Sequence, residues 1–307
     1  KIQSDTNIDF SKTSEEDGTK GLYYTRQNTE NNQISYYYRG AVENNYVYFA
    51  GFYWRIIRIN EDGSVRLIYQ GETPNATGGA TAIGNSTFNT NYNDNAYLGY
   101  MYGTPGSDTY EETHANINNS TIKTVLDNWY KENLSSYASY LADSGFCGDR
   151  SMAEEPNSWY INDTALGYGE NETNYGTYNR LYLNKNPQFL CPQNQDLYTT
   201  KNSTKGNKAL DYPIGLITID EAMYAGGSNF LGNDEYYLYT GDNYWMLSPF
   251  VFRELNSAIG SVFSDGHLAS YYAYRMRSVR PVINLKSTVE ITRGDGTISN
   301  PYIIRTN

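Results

Sequence analysis

Apart from carboxylates, few side chains in this sequence could perform catalysis. The chain of 307 residues has two histidines, two cysteines and 34 aspartates and glutamates. A serine–histidine–aspartate arrangement would have to use His114 or His267, and neither a G-x-S-x-G nucleophile elbow nor a Walker loop occurs. His267 lies in "SDGHL", which is typical of a hairpin turn, so a surface histidine is favoured over a catalytic one.

Paired carboxylates are the remaining candidates for acid–base chemistry. Adjacent acids occur at Glu15–Glu16, Glu111–Glu112 and Glu154–Glu155, and one of them could serve as a glycosidase acid. Such a role depends on the separation of two carboxyl groups in space, and a chain with this many acids offers many false candidates. A carbohydrate-active enzyme is therefore the least favoured of the functions weighed below.

One asparagine-rich stretch has the alternation of a calcium loop. In "NTNYNDNAYLGY" the asparagines alternate from Asn89 to Asn95. An EF-hand register that begins at Asn89 places Asp94 where glycine is required and Tyr100 where the bidentate glutamate is required. The sequence therefore predicts no metal site of this type, and no cofactor motif is present.

The two cysteines are more consistent with a disulfide than with a metal site. Cys147 in "GFCGDRS" and Cys191 in "FLCPQNQ" are too few for structural zinc, and both histidines lie far away in sequence. A bridge that closes so long a loop stabilises a protein by about 4 kcal/mol on the chain-entropy estimate. We predict a Cys147–Cys191 disulfide in an exported protein, with two separate buried thiols as the alternative.

The charge and hydropathy of the chain exclude several classes of partner. A net charge of -11 disfavours nucleic acid, because phosphate binding requires cations, and it disfavours docking on anionic lipids. Apolar runs are only a few residues long, so no membrane insertion is predicted. No signal peptide begins the chain, and its opening has the character of a fragment cut downstream of another segment.

Tyrosine is the unusual component of the composition. The chain has 33 tyrosines against 10 phenylalanines. Tyrosine joins a flat apolar ring to a hydroxyl and loses little side-chain entropy when fixed, so binding surfaces favour it. An AT-rich genome would also enrich tyrosine and asparagine, and the two explanations are compatible.

The elements that must position these residues form an α+β pattern. Residues 1–35 are polar and predicted to be mostly loop, with "GLYYT" as the first strand. The β-hairpin region 36–72 contains "FYWRIIRIN" and "SVRLIYQG" around an "EDG" turn, and Arg66 and Gln70 are expected on a polar face of the second strand. Helices are predicted after Ser120, a plausible N-cap, and after Thr218, which begins a T-x-x-E capping box. The absence of repeats and linkers favours one domain over 1–307.

The C-terminal stretch 244–285, "YWMLSPFVFRELNSAIGSVFSDGHLASYYAYRMRSVRPVINL", has apolar ends and a bulky, charged middle. Its "YWMLSP", "A…V…G.L" and "VRPVINLK" resemble the C-terminal half of the C-type-lectin-like fold, in its formylglycine-generating-enzyme branch. The upstream pieces "GFCGDRS", "YPIGLITIDEAMYAGG" and "GDGTISNPYII" resemble a family of secreted or surface-anchored bacterial proteins. The resemblance extends from about Asp5 onward and implies a fold with short antiparallel strands, two main helices and long irregular loops.

The closing segment is also similar to that of the variable proteins of diversity-generating retroelements, in which adenine-directed mutagenesis rewrites exposed codons on a fixed framework. That resemblance implies two sets of residues. The predicted framework consists of Trp245, Ser248, Pro249, Phe252, Ala258, Val262, Gly266, Leu268, Val279, Arg280 and Pro281. The predicted exposed, ligand-binding set consists of Phe250, Arg253, Glu254, Asn256, Ser257, Ile259, Phe263, His267, Tyr271, Tyr272, Tyr274, Arg275, Met276 and Arg277.

The sequence departs from the enzyme branch in its cysteines. That branch requires a reactive cysteine pair in the C-terminal region, and no cysteine follows Cys191. We therefore expect a non-enzymatic ligand-binding or adhesion domain of a bacterial cell-surface protein. Its partner would be a protein or glycan on another cell, a phage or a host. The alternative is a pilus or surface-layer subunit whose aromatic patch forms filament contacts.

Overall fold

The computed structural model describes residues 1–153, 172–229 and 231–306. Within these ranges the chain is mostly β-sheet with few helices, which confirms the predicted α+β class. The strands are β1 (Ile2–Ser4), β2 (Gly21–Thr25), β3 (Ser35–Arg39), β4 (Tyr46–Phe49), β5 (Phe52–Ile59), β6 (Val65–Gly71), β7 (Asn85–Ser86), β8 (Met101–Tyr102), β9 (Asn118–Asn119), β10 (Phe146–Cys147), β11 (Thr173–Asn174), β12 (Leu197–Tyr198), β13 (Tyr244–Arg253), β14 (Asn256–Val262), β15 (Leu268–Tyr272), β16 (Arg277–Ser278), β17 (Val282–Leu285), β18 (Ile291–Arg293) and β19 (Tyr302–Ile304).

The helices are short, and both predicted helices are present. The α-helices are α1 (Tyr110–Thr113), α2 (Thr121–Asn133), α3 (Gly176–Tyr178) and α4 (Ile219–Ala225), and the π-helical segment Asn179–Asn184 continues α3. Helix α2 begins where Ser120 Oγ accepts a hydrogen bond from the Lys123 backbone N–H. Thr218 forms the predicted capping box with Glu221 at the start of α4. These caps satisfy backbone N–H groups that have no partner inside a helix.

The larger sheet contains nine of the described strands, in the order β1-β2-β3-β5-β4-β19-β18, with β6 beside β5 and β17 beside β6. The predicted hairpin is its centre, since β5 and β6 pair antiparallel with Ile59 opposite Val65. Strand β2 is the predicted "GLYYT" strand. The expectation of loop before it is wrong at β1, which pairs in parallel with β2, because the sheet extends further toward the N-terminus than the polar sequence indicated.

The predicted polar face of β6 is wrong, because both faces of this strand are covered. Arg66 is buried, and its Nε lies 2.6 Å from Glu221 Oε1 of α4. Gln70 is also buried; its amide donates to Ala76 O, and its Oε1 accepts from Arg280. A polar side chain is tolerated in a buried strand when it has such partners.

The second sheet supports the C-terminal segment. Its six described strands run in the order β15-β14-β13-β16-β7, and β11 pairs with β13. Strands β13, β14 and β15 are antiparallel neighbours, so β14 is central and β15 lies at the edge. Gly260 of β14 is required by close packing, because a Cβ there would lie 2.5 Å from the Ile219 side chain of α4.

Buried side chains of both sheets share a main core that contains Trp54 and Trp245, and Tyr23, Tyr37 and Tyr224 form a smaller cluster. All eleven predicted framework residues of the C-terminal segment are buried. The predicted disulfide is present, with Cα atoms of Cys147 and Cys191 5.6 Å apart. It joins β10 to the segment that precedes β12.

Candidate ligand-binding surface

The predicted ligand-binding set divides into three groups by exposure. The exposed residues are Glu254, Tyr271, Tyr272, Arg275 and Met276. The half-buried residues are Arg253, Asn256, Phe263, His267 and Tyr274. The buried residues are Phe250, Ser257, Ile259 and Arg277, and for these four the prediction of solvent exposure is wrong.

Phe250 is buried because β13 is covered on the face that carries this side chain. Its ring lies 5.3 Å from the ring of Tyr178 and 5.1 Å from that of Tyr182, measured between centroids. Both tyrosines belong to the helical segment 176–184. Phe250 therefore joins the second sheet to this segment and does not face solvent.

Ser257 and Ile259 are buried because β14 is a central strand with both faces covered. The backbone N–H of Ser257 donates to Tyr92 O at 2.7 Å, and its Oγ donates to Asp94 O at 2.8 Å. Ile259 lies in the core. The loop that contains Tyr92 and Asp94 thus packs on β14. The pattern of residues within β14 did not predict that this loop would bury Ser257.

Arg277 is buried between two rings of the surface. The residue is only 6% exposed, and its guanidinium carbon lies 4.2 Å from the Phe263 ring centroid and 4.1 Å from that of Tyr271. Burial lowers the pKa of Arg277 to about 10, against the opposing influence of Tyr271 and Asp242. Cation–π contacts of this kind orient rings, so Arg277 supports the surface from beneath.

Six aromatic side chains form a continuous row, which we call the aromatic strip: Tyr92, Phe263, His267, Tyr271, Tyr272 and Tyr274. The ring centroids of successive members are separated by 4.3 Å (His267–Phe263), 6.0 Å (Phe263–Tyr271), 6.2 Å (Tyr271–Tyr272), 5.9 Å (Tyr272–Tyr274) and 4.4 Å (Tyr274–Tyr92). Contacts at these distances restrict each ring. The strip therefore presents rings whose positions are set before any partner arrives.

Next to Tyr274 in the chain, the strip is bordered by a cation, Arg275, and a flexible apolar side chain, Met276. The guanidinium carbon of Arg275 lies 5.0 Å from the Tyr274 ring centroid. Met276 is 62% exposed, and Tyr271 and Tyr272 are 37% and 39% exposed. Tyrosine and arginine dominate the energetics of many protein interfaces, and methionine adapts to irregular partners.

A groove of about 280 Å³ borders the strip. Tyr182 forms one wall, Tyr271 and Tyr272 form another, and Arg253 and Asn256 lie beside the hairpin turn at its edge. The groove is the concave part of the surface around the strip. It gives a partner side chain a place to be enclosed by rings.

The turn between β13 and β14 has residues that do not suit its backbone. Glu254 and Leu255 connect Arg253 to Asn256 and have φ values of 50° and 57°. A two-residue hairpin with positive φ at both positions normally contains asparagine and glycine, because most other residues are strained there. Strain of this kind is concentrated at functional sites.

Two exposed members of this surface were missed from the sequence. Leu255, 52% exposed at the tip of the turn, was not predicted, although a leucine where a turn residue is expected was a usable signal. Tyr92 was considered only as part of the calcium-loop pattern. A single aromatic residue within a polar, asparagine-rich run was the signal that could have identified it.

Both histidines and one glutamate of each described acidic pair make local contacts. His114 is buried, and its Nδ1 donates to the Tyr110 carbonyl oxygen at 2.8 Å, while His267 Nδ1 is paired with the Asp265 carboxylate. Glu16 accepts from the Thr13 backbone N–H, and Glu112 accepts from Ser107 Oγ. The pair Glu154–Glu155 lies outside the described residues.

The asparagine-rich loop is closed by side-chain hydrogen bonds. The Asp94 carboxylate accepts from the backbone N–H groups of Ala96 and Gly106. In the described ranges, no group of three or more His, Cys, Asp or Glu side chains could hold a metal ion.

None of the helices described in 1–153, 172–229 and 231–306 has both the length and the apolar character needed to cross a bilayer. No family model, no curated protein and no solved structure matches this chain.

Proposed function

We propose that this chain is a ligand-binding domain whose contact surface is the aromatic strip together with Arg275, Met276 and the hairpin tip at Leu255. The observation that carries the proposal is the row of contacting rings along edge strand β15 and the loops beside it, supported from below by Arg277. Rings held in place before binding lose little entropy when a partner docks, so more of the contact energy is retained as affinity.

The partner class that this surface fits is a protein or a glycan on another cell, a phage or a host. Tyrosine offers both an apolar face and a hydroxyl, which suits a partner of mixed polarity. Arg275 is an exposed cation of this surface, beside the Tyr274 ring, and a carboxylate of a partner could pair with it.

We also propose an evolutionary origin and a cellular location for this domain. A C-type-lectin-like fold of the variable-protein type would explain why buried framework residues alternate with exposed, bulky ones in 244–281. It would also explain the strained Glu254–Leu255 turn, because diversified positions are not selected for turn geometry. The disulfide supports an extracellular, cell-surface location, since such bonds persist in oxidising compartments.

Binding by the strip is tested with arrays of glycans and of bacterial and phage surface proteins. The wild type is compared with a Tyr271→Ala, Tyr272→Ala, Arg275→Ala triple variant. We expect any partner of the wild type to lose affinity by a factor of about 100 or more, as hot-spot side chains do. Arg277 is left intact because it is buried and its removal would also disturb the rings.

The matched control is an Ile117→Ala, Leu183→Ala, Ile298→Ala triple variant, which removes exposed apolar side chains outside the strip. It should bind like the wild type. Unchanged binding by the strip variant would contradict the proposal. Filaments that form in concentrated wild-type protein but not in the strip variant would also contradict it, because they would show that the strip is a subunit contact.

The retroelement origin is tested in the neighbouring DNA. A reverse transcriptase gene is expected there, together with a near-copy of the codons for 244–281 that differs at adenines.

A further inference from the structure

A second concave site lies apart from the aromatic strip. It is a cleft of about 320 Å³ between the turn that joins β5 to β6, the start of α4 and the segment around the Cys147–Cys191 disulfide. Of the C-terminal segment 244–285, Ser248 is the residue that lines it. The cleft therefore contains none of the predicted ligand-binding residues, and the binding surface proposed above does not account for it.

Two groups of ion pairs form the floor of the cleft. In the first, Glu221 Oε1 lies 2.6 Å from Arg66 Nε and 3.3 Å from Arg58 Nε, while Arg58 Nη1 lies 3.7 Å from Glu61 Oε1. In the second, the Arg180 guanidinium lies 2.8 Å from the Asp149 carboxylate and 2.6 Å from that of Asp220. The arginines of the floor are thus all neutralised by carboxylates.

The lining as a whole keeps an excess of negative charge. Six carboxylate side chains line the cleft against four cationic ones. Asp62 at the β5–β6 turn accepts hydrogen bonds from the Ser64 and Ser144 hydroxyls. Burial raises the pKa of Asp62, but these hydrogen bonds outweigh that effect and the net pKa lies below the ordinary value. A cationic ligand is favoured here, and the net charge of -11 on the chain attracts cations from a distance.

Seven buried side-chain atoms of the lining have no hydrogen-bond partner within the described ranges: Arg58 Nε and Nη1, Asn60 Oδ1, Glu61 Oε1, Arg66 Nε, Asp149 Oδ2 and Gln188 Nε2. The arginine and carboxylate atoms belong to the ion pairs of the floor, so Asn60 Oδ1 and Gln188 Nε2 are the two that lack a charged partner as well. Asn60 is 6% exposed and the Glu61 side chain 10% exposed. The Asn60 amide nitrogen donates to Ser64 Oγ and Asn284 Oδ1, which fixes the amide and leaves Oδ1 as a free acceptor. Buried polar groups without partners are costly, so their concentration at one cavity indicates a ligand that supplies the missing bonds.

From these features we propose that the cleft binds a small molecule with a primary ammonium group and a neutral hydroxyl or carbonyl acceptor a few atoms away. The ammonium donates to Asn60 Oδ1 and is attracted by the negative charges of Glu61 and Asp62, and the ligand's acceptor receives a hydrogen bond from Gln188 Nε2. An anionic ligand is disfavoured by the excess of carboxylates. A metal ion is disfavoured because no three acidic, histidine or cysteine side chains of the described residues converge to hold one.

The charge requirement is tested by isothermal titration with three sugars of nearly the same shape, below neutral pH so that the amine is protonated. Glucosamine carries the ammonium group, glucose has a hydroxyl in its place, and glucuronate adds a carboxylate. We expect saturable binding of glucosamine at least about tenfold tighter than that of glucose, with no binding of glucuronate. Equal affinity for glucose and glucosamine overturns the proposal, as does preference for glucuronate or the absence of saturable glucosamine binding at about 10 mM.

The location is tested with Glu61→Gln and Asp62→Asn, each of which removes one charge and keeps the shape. The amide introduced by Asp62→Asn retains an acceptor for the Ser64 backbone N–H, so the turn is preserved in this variant even if Glu61→Gln is unstable. Each should weaken glucosamine binding about tenfold, because each removes a negative charge that attracts the ammonium group. Asp265→Asn, an exposed charge removal outside the cleft, should have no effect. The strip triple variant should bind glucosamine like the wild type, so failure of this proposal and failure of the proposed function are distinguishable.

Discussion

Two adjacent stretches of this chain, 244–262 and 263–277, are both rich in aromatic residues, but these residues differ in exposure. In the first, Trp245, Phe250 and Phe252 are buried in central strands, whereas in the second Tyr271, Tyr272 and Met276 are exposed on an edge strand and the loop that follows it. The comparison teaches that residue type alone does not identify a binding surface. What decides exposure is whether a strand has neighbours and cover on both sides.

The largest expected contrast is in stability. Phe250→Ala should lower the free energy of unfolding by about 3–5 kcal/mol, because it leaves a cavity beside Tyr178 and Tyr182. Tyr272→Ala should lower it by no more than about 0.5 kcal/mol, as expected of an exposed side chain. Chemical denaturation measures both. Similar losses in the two variants would remove the distinction between the stretches.

The buried scaffold should also be sensitive to acid through His114. Burial, with a contribution from Arg150, lowers the pKa of His114 to about 3 in the folded chain. The neutral ring therefore contributes stability that is complete above the unfolded pKa of about 6.5 and is lost as pH falls toward 3. We expect the wild type to lose about 3 kcal/mol more than His114→Gln between pH 6.5 and pH 4, at about 1.4 kcal/mol per unit. Parallel pH dependences of the two proteins in denaturant titrations would contradict this.

Arg277 belongs to the second stretch and also lies 5.8 Å from the Trp245 ring centroid of the first, so its removal should affect both of them moderately. Arg277→Met keeps much of the apolar volume but loses the charge between Phe263 and Tyr271. We expect stability to fall by about 1–2 kcal/mol and partner binding to weaken although Arg277 is buried. Denaturation and binding of the same preparation measure the two effects. Unchanged binding would show that the rings do not depend on this support.

The smallest effect is expected at the strained turn, and it has the opposite sign. Leu255→Gly removes a Cβ from a residue with φ of 57° and should raise the free energy of unfolding by about 1 kcal/mol. It should also weaken partner binding, because Leu255 is exposed at the tip of the surface. A destabilised variant would show that the leucine stabilises the fold.

Helix starts and tight turns could be predicted from the sequence, because nearby residues determine them. The cap at Ser120, the capping box at Thr218 and the β5–β6 turn all depend on residues close together in the chain, and all three are present. Exposure within 244–285 could be predicted only in part. Ser257 is covered by the loop at Tyr92, and Phe250 by the segment at Tyr178, and such distant cover leaves no mark on the local pattern.

The cleft was not predicted for a related physical reason. Arg66 and Glu221 lie far apart in sequence and form a buried ion pair only when β6 and α4 pack together. The sequence showed Arg66 as an ordinary polar residue on an alternating strand. Its burial requires a charged partner whose position is set by the tertiary fold, and no local pattern specifies that position.

The central claim is that a fixed scaffold holds the side chains of the strip in water until a partner covers them. Hydroxyl-radical footprinting tests it directly, because tyrosine, methionine, phenylalanine and tryptophan are all oxidised when accessible. In the free protein we predict labelling of Tyr271, Tyr272 and Met276, with Trp245 and Phe250 protected, and in the complex we predict protection of all five. Protection of the strip residues in the free protein, or their undiminished labelling in the complex, would contradict the account.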